Sequence, residues 1–186
     1  MRQAGRYMPS YQKLRSHHSL LELIKTPDLA AQVTLQPVDA FDVDAAIIFA
    51  DILQALEELG LDLEFVPQDG PVIRNPLRSR QDVDLLRQQK GRGGSDATCE
   101  AIRLVTQRLH GKVPVIGFCG APFTLACYAI EGGTSREYPK TRQLMMRDST
   151  TWKRLMHRLS EFLIETLACQ VEAGASAIQL FDSWAG

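Results

Sequence analysis

Two arginines near the start of this sequence could bind an anionic ligand. The segment Arg2–Pro9 contains Arg2 and Arg6 together with a glycine, a tyrosine and a proline, and no acidic residue precedes Glu22. A guanidinium holds carboxylates or phosphates through two parallel charge-assisted hydrogen bonds, since its planar fork matches their geometry. The glycine permits positive φ, and Pro9 is expected to stop any helix. The segment is therefore predicted to be a shaped loop that receives an anion.

Charge alone leaves two other interpretations of this loop open. Most short basic stretches are solvated surface. A basic arm could also track the phosphates of a nucleic acid. The second interpretation is disfavoured because the formal net charge is only −1 and the basic residues elsewhere are mixed with acidic ones.

Asp51 is a candidate for stabilising positive charge on a ligand. It follows the apolar and small residues Ala46–Ala50, so we expect it at the end of a buried strand. In that partly dry setting a carboxylate acts strongly on a developing charge. A second interpretation stays open at this point, because Asp before Ile52 is also a good N-cap for a helix.

The elements that must position these residues alternate between helices and apolar strands. Continuous apolar runs indicate buried strands, and a capping residue followed by proline indicates a helix start, as at Thr26-Pro27. The predicted strands are Val43–Phe49, Leu63–Val66, Val72–Arg74, Val113–Phe118 and Ala177–Phe181, of which the second and third would form a hairpin. The predicted helices are Ser19–Lys25, Pro27–Asp39, Ile52–Leu59, Gln81–Gln89, Ser95–His110, Ala121–Glu131, Tyr138–Arg147 and Thr151–Ala173.

This alternation predicts an α/β fold with a parallel sheet. No Gly-x-Gly-x-x-Gly follows a predicted strand, which disfavours a dinucleotide-binding sheet. Polar or special residues instead follow three strands, at Asp51, at Cys119–Pro122 and at Asp182–Trp184. Such chemistry at the carboxyl ends of successive strands is typical of (β/α)8 TIM barrels, which need roughly 250 residues. The 186 residues are therefore predicted to be part of one such barrel, truncated at its C-terminal side.

Composition narrows the class of protein. The 45% hydrophobic and 23% charged fractions are ordinary for a soluble globular protein, and no apolar run approaches the roughly 20 residues of a membrane span. The sequence lacks a signal-peptide pattern. We predict no metal site, with the His17–His18 pair in a surface loop. The cysteines fit neither zinc nor CxxC spacing and are predicted to be buried free thiols, which favours the cytoplasm; they are Cys99, Cys119, Cys127 and Cys169.

Five segments, in order along the chain, resemble the uroporphyrinogen decarboxylase family. The resemblance covers the whole length and implies the N-terminal half of a single-domain (β/α)8 barrel, normally a homodimer without metal or organic cofactor. The family converts uroporphyrinogen III, an octa-acid tetrapyrrole, to coproporphyrinogen III by removing four acetate carboxyls as CO2. The matching segments are Arg2–Pro9, Asp44–Leu53, Gly117–Leu125, Tyr128 with Glu131–Gly133, and Leu180–Gly186.

The resemblance also implies roles for individual residues. Asp51 would receive the pyrrole N–H groups, and Arg2 and Arg6 would hold substrate carboxylates. Asp51 and Arg6 are thus the predicted catalytic residues, while the general acid stays unassigned because a guanidinium is almost always protonated. Tyr128 and Ser183 would bind carboxylates, although an ordinary amphipathic tyrosine and a turn serine are the alternatives. Gln3 and Ala4 would lie beside the macrocycle.

Two other functions stay open at this point. A histidine in the family's second half lines the cleft and has no counterpart in this chain, so the chain alone is expected to be inactive. A corrinoid-dependent methyltransferase of the same superfamily, which uses zinc, is one alternative, and a non-catalytic remnant is the other. The arginine loop together with Asp51 suits a polycarboxylate tetrapyrrole better than a thiol.

Overall fold

The computed structural model describes residues 7–66, 69–86 and 95–185, with only the backbone of Ser95. The chain divides into two compact units, each built from three separate segments. The first unit comprises Met1–Asp51, Gly94–Phe118 and Thr166–Gln179, and the second comprises Ile52–Gly93, Cys119–Glu165 and Leu180–Gly186.

The elements follow one another in the alternating order that the sequence predicts. The helices are α1 (Pro9–His17), α2 (Leu20–Lys25), α3 (Pro27–Ala40), α4 (Gln54–Glu58), α5 (Arg80–Leu85), α6 (Ser95–Leu109), α7 (Pro122–Glu131), α8 (Pro139–Arg147) and α9 (Ser149–Glu172). The strands are β1 (Ala46–Ile47), β2 (Leu63–Val66), β3 (Gly70–Ile73), β4 (Val115–Gly120) and β5 (Ala177–Phe181).

The main sheet has the strand order β1-β4-β5. β1 and β4 are parallel, with Ala46 opposite Val115. The amide of Ser176, just before β5, donates to the carbonyl of Val115 at the start of β4, and the amide of Ala121, just after β4, donates to the carbonyl of Phe181 at the end of β5. β5 therefore runs in the same direction as β4, so the predicted parallel α/β sheet is confirmed. The predicted hairpin is confirmed as the antiparallel pair β2-β3.

The core of the first unit forms where α3 and α6 pack together behind β1 and the start of β4. It contains Ala46, Ile48, Ile102, Val105 and Val115, each at most 2% exposed. Burying such side chains stabilises a fold by about 1.5–3 kcal/mol each for the larger ones. This core fixes the strand that leads to Asp51.

Two of the cysteines depart from the sequence prediction. Cys99 on α6 and Cys169 on α9 lie in the core of the first unit and are joined by a disulfide, with their Cα atoms 6.2 Å apart. The prediction of four free thiols is therefore wrong for this pair, because 70 residues of sequence separation hide their proximity. Cys119 and Cys127 are buried free thiols, as predicted.

In the second unit, α5 is attached to α9 by arginine side chains. Nη1 of Arg158 donates to the carbonyl oxygens of Val83 and Leu86 at the end of α5, at 2.9 and 3.0 Å. Arg154 pairs with Asp84 in the same helix. The orphan carbonyls of a short helix end are thereby satisfied by a neighbouring helix instead of water.

The start of α9 is capped by Asp148, the residue directly before the helix. The carboxylate of Asp148, the residue before α9, accepts hydrogen bonds from the amide of Thr151 at 3.0 Å and from its hydroxyl at 2.6 Å. These bonds lower the pKa of Asp148, with the hydroxyl bond as the largest cause. A carboxylate at this place satisfies an orphan N–H and faces the positive end of the helix dipole.

Two local predictions were wrong, and a third, the N-cap Thr26, was right in position but not in its bonding. Pro9 does not stop a helix but is the first residue of α1, where its missing N–H costs nothing. His17 is consequently helical, and His18 pairs with Glu22 at 2.7 Å. Thr26 precedes α3 as predicted, but its side chain makes no cap bond.

The helices of residues 7–66, 69–86 and 95–185 include none with the length and apolar character needed to cross a membrane.

Candidate functional site

Asp51 lies at the end of a backbone segment that is fixed residue by residue. The amide of Ile48 donates to the carbonyl of Ile116 at 3.0 Å, and the amide of Phe49 donates to the hydroxyl of Thr34 at 2.9 Å. Ile48 is 2% exposed and Thr34 is 1% exposed, so these bonds are shielded from water. Two residues later Asp51 is partly buried. Asp51 is therefore partly buried beyond the end of β1, which stops at Ile47, so the predicted strand Val43–Phe49 is shorter than the sequence indicated.

The helix that follows Asp51 begins later than the sequence predicts. α4 begins at Gln54, and its N-cap residue is Leu53, which makes no side-chain cap bond. The helix thus starts two residues later than the capping interpretation requires.

Helix α1, which follows the arginine segment, packs against Phe49, two residues before Asp51. Tyr11 of α1 packs edge-on against Phe49, with ring centroids 5.9 Å apart. Met8, Tyr11, Leu23 and Val33 form a buried cluster on which Phe49 also packs. Arg2, Gln3, Ala4 and Arg6 themselves lie outside the described residues.

The start of α7 in the second unit is capped by a residue from far along the chain. Pro122 opens the helix, and its N-cap residue Ala121 has no side chain that could accept a hydrogen bond. Asp182 supplies the acceptor instead: its Oδ1 accepts from the amide of Thr124 at 3.3 Å and from the Thr124 hydroxyl at 2.9 Å. The two residues are 58 positions apart. A long-range carboxylate therefore takes the place of a local cap.

The loop after β5 closes on the same threonine. The amide of Trp184 donates to Thr124 Oγ1 at 3.4 Å, and the amide of Ala185 donates to the carbonyl of Asp182 at 3.3 Å. The Thr124 hydroxyl is thus donor to Asp182 and acceptor from Trp184. Ser183 lies between these two residues and is exposed.

Three aromatic rings meet beside this loop. The ring of Trp184 lies 6.0 Å from that of Tyr128 on α7 and 5.3 Å from that of Tyr138, measured between centroids. Within the part of the chain that the structure describes, the Tyr138 hydroxyl and the Trp184 indole N–H are buried without a hydrogen-bond partner. Burial also raises the pKa of Tyr138. Tyr128 and the Ser183 loop are thereby brought together around Trp184.

Two further polar residues of α7, Cys127 and Glu131, have structural roles. Glu131 Oε1 accepts from the amide and the hydroxyl of Thr141 at 2.9 and 3.0 Å, so the end of α7 caps α8. Burial is the main cause that raises the pKa of Cys127 to about 11. This thiol therefore stays protonated at neutral pH and is a packing residue rather than a nucleophile.

Sequence reasoning assigned no role to Thr124 or Tyr138, and it noted Asp182 only as a polar residue after the last predicted strand. One signal was available, because a proline-started helix whose N-cap is alanine needs its acceptor from elsewhere. The sequence does not reveal that Asp182 is that acceptor.

Across residues 7–66, 69–86 and 95–185, no three His, Cys, Asp or Glu side chains lie together as a metal site would require.

Comparison with known sequences gives consistent matches along the chain. The sequence model of the uroporphyrinogen decarboxylase (URO-D) family matches residues 1–186. Uroporphyrinogen decarboxylase from Roseiflexus sp. (strain RS-1) is 55% identical over all of this chain and 53% of its own length. The protein of that name from Chloroflexus aurantiacus (strain J-10-fl) is 56% identical over all of this chain and 52% of its own. The chain spans about half the length of the curated relatives that it matches.

Comparison with solved structures supports the fold. A methyltransferase from Methanosarcina mazei superposes with a TM-score of 0.64 over 86% of this chain and 49% of its own, at 16% identity. At that identity the likeness concerns the fold alone. That fold is TIM-barrel-like, so the prediction of a partial (β/α)8 barrel is confirmed.

Proposed function

The chain belongs to the uroporphyrinogen decarboxylase family, and we propose that it supplies the Asp51 half of a site that removes acetate carboxyls from uroporphyrinogen III. The observation that carries the proposal is the partly buried position of Asp51, two residues after the backbone that Ile116 and Thr34 hold, in a chain matched by the family over its whole length. The substrate, the reaction and the residue roles below are parts of this proposal.

The reaction needs an electron sink because a carboxylate on a pyrrole CH2 cannot leave as CO2 without forming a carbanion. A proton added to the pyrrole ring creates an iminium-like nitrogen. The bond to the carboxylate then breaks, its electron pair moves into the ring, and CO2 departs. A second proton turns the methylene carbon into a methyl group, and loss of the first proton restores the pyrrole. The net change is one proton taken up and one CO2 released.

Asp51 stabilises the positive charge that develops during these reaction steps. Its carboxylate accepts hydrogen bonds from the pyrrole N–H groups, whose positive charge increases when the ring is protonated. A preorganised carboxylate in a partly buried place favours that charged state over the neutral ground state. The hydrogen bonds that fix Ile48 and Phe49 support this role, because they limit how far the following residues can move.

The remaining predicted residues bind the carboxylates of the macrocycle. Arg2 and Arg6 hold acetate or propionate groups through their guanidinium forks, with Gln3 and Ala4 beside the ring. Tyr128 and Ser183 donate hydroxyl hydrogen bonds to carboxylates. The contacts among Tyr128, Trp184 and Thr124 support this assignment, since they hold the tyrosine and the serine loop in the same unit.

The test joins this chain in frame to the second half of the Roseiflexus relative, which is 55% identical over the shared part. We expect CO2 release from uroporphyrinogen III by the joined protein and none from the 186-residue chain alone. Asp51→Asn should lower kcat by about 10²–10³-fold, the range seen when one preorganised electrostatic group is removed. Arg6→Ala should lower kcat/KM severely.

Asp42→Asn is the matched control, because it removes an exposed carboxylate from the segment that leads into β1. It should leave turnover unchanged. Near-normal turnover by Asp51→Asn in a joined protein that is otherwise active would contradict the proposal.

A homodimer in the cytoplasm, without metal or organic cofactor, nucleic acid or membrane as partner, completes the proposal. The family resemblance and the mixed charges of the chain support it. Light scattering on the joined protein checks the dimer, and unchanged turnover after dialysis against a chelator checks the independence from metal.

A further inference from the structure

We propose that Thr124 and Asp182 are positioning residues, which set the distance between Tyr128 and Ser183 and so determine how those two residues receive neighbouring carboxylates. The part of this inference that concerns substrate rests on the function proposed above. The mechanical part, a link between α7 and the loop after β5, rests on the hydrogen bonds alone.

Thr124 joins the helix to the loop through one hydroxyl group. Its side chain is fully buried, and the hydroxyl donates to Asp182 Oδ1 at 2.9 Å while it accepts from the amide of Trp184 at 3.4 Å. The loop is therefore bound on both sides of Ser183. Because buried polar groups are costly to leave unpaired, the arrangement is strongly favoured over one in which the loop swings away.

Tyr128 lies one helical turn after Thr124. Residues four apart share a face of an α-helix, so the side of α7 that binds the loop is also the side that carries the tyrosine. The contact between the rings of Tyr128 and Trp184 adds a second link between the same two elements. A shift of the loop would consequently change the separation of the Tyr128 and Ser183 hydroxyls.

This separation matters because a polycarboxylate is held at several points simultaneously. Donors fixed in advance bind a rigid array of carboxylates without further ordering of the protein. Donors on a loosened loop must be ordered when the substrate binds, so the affinity for the substrate falls although no direct contact is lost. Thr124 thus affects substrate binding through Tyr128 and Ser183 without contacting the substrate.

The experiment uses the joined protein described above, in which the second half of the Roseiflexus relative follows this chain, and three variants of it. Thr124→Val removes the hydroxyl but keeps the branched shape, and Thr124→Ser restores the hydroxyl. Thr151→Val is the matched control, since the buried Thr151 also gives its amide and its hydroxyl to a carboxylate at a helix start. Amide hydrogen exchange of Trp184 and calorimetric binding of uroporphyrinogen III are measured for each.

We expect Thr124→Val to speed exchange of the Trp184 amide about tenfold, as loss of one or two hydrogen bonds would do. It should weaken uroporphyrinogen binding by a similar factor. Thr124→Ser should stay within about twofold of the unsubstituted joined protein in both measurements, as a retained hydrogen bond requires. Thr151→Val should lower stability without changing either quantity.

The two proposals fail in different ways. If the unsubstituted joined protein shows no binding of uroporphyrinogen, the substrate assignment fails, and the exchange rates still decide the link between helix and loop. Unchanged Trp184 exchange in Thr124→Val overturns the positioning role. Equal losses of binding in Thr124→Val and Thr151→Val overturn it as well, because general destabilisation would then account for the effect.

Discussion

The starts of α7 and α9 solve the same problem with acceptors at very different distances along the chain. At α9, Asp148 lies three residues before the threonine that it caps. At α7, Asp182 lies 58 residues after its threonine. Both carboxylates accept from the amide and the hydroxyl of a buried threonine. The local cap can only stabilise its helix, whereas the distant one also fixes a loop that carries a candidate binding residue.

The largest expected effect comes from removing the distant carboxylate. Asp182→Ala leaves the amide and hydroxyl of Thr124 without their acceptor, so we expect the free energy of unfolding to fall by about 2–3 kcal/mol, as for hydrogen bonds to charged groups. Asp148→Ala should cost clearly less, because this exposed carboxylate caps only its own helix. Urea titrations of both variants measure the difference. Equal losses would show that the long-range bond contributes nothing beyond a cap.

An intermediate effect is expected when α7 receives a local cap. Ala121→Ser places a hydroxyl at the N-cap position, and in the Asp182→Ala background it should recover about 1 kcal/mol of stability. It should not restore slow exchange of the Trp184 amide, because a cap at Ala121 does not bind the loop. Urea titration and hydrogen exchange on the double variant separate these two results. Recovery of both would show that a local cap at Ala121 can replace the distant carboxylate completely.

The smallest effect concerns pH at the local cap. Hydrogen bonds from Thr151 hold the pKa of Asp148 below its usual range, so its stabilisation is present above the unfolded pKa of about 4 and is lost as the pH falls through the folded value. The stability difference between the unsubstituted chain and Asp148→Asn should therefore be visible at pH 6 and shrink below about pH 4. Urea titrations across this range check the trend. A difference that grows on acidification would contradict it.

The sequence predicted what local patterns determine. β5 was predicted with its observed bounds, and α8 with an error of one residue, because apolar runs, proline and glycine mark such elements within a few positions. Pro9 was misjudged, since the same residue that stops a helix also opens one, and only the following turn decides between them.

Contacts between distant positions could not be predicted in this way. The Cys99–Cys169 bond and the cap of Thr124 by Asp182 join positions that no local pattern links. In the candidate site, Asp51, Tyr128 and Ser183 were selected through motifs, and their roles stay predictions. Thr124 was not selected, because a buried threonine within a helix has no distinctive pattern and its importance comes from its partner.

The division of the chain into two units has a consequence for how the molecule can be assembled. Three of the boundaries between the units fall within β4, α9 and β5, and each unit takes its three segments from well-separated parts of the chain. Neither unit can therefore be synthesised as one continuous peptide. Each must close long loops before its own contacts form, and such non-local pairing makes folding slow. The core of the first unit includes Cys169 and Ala173, so it is completed only after the segment Thr166–Gln179 has been synthesised. The Ser183 loop follows that segment directly, and both are therefore synthesised at nearly the same time.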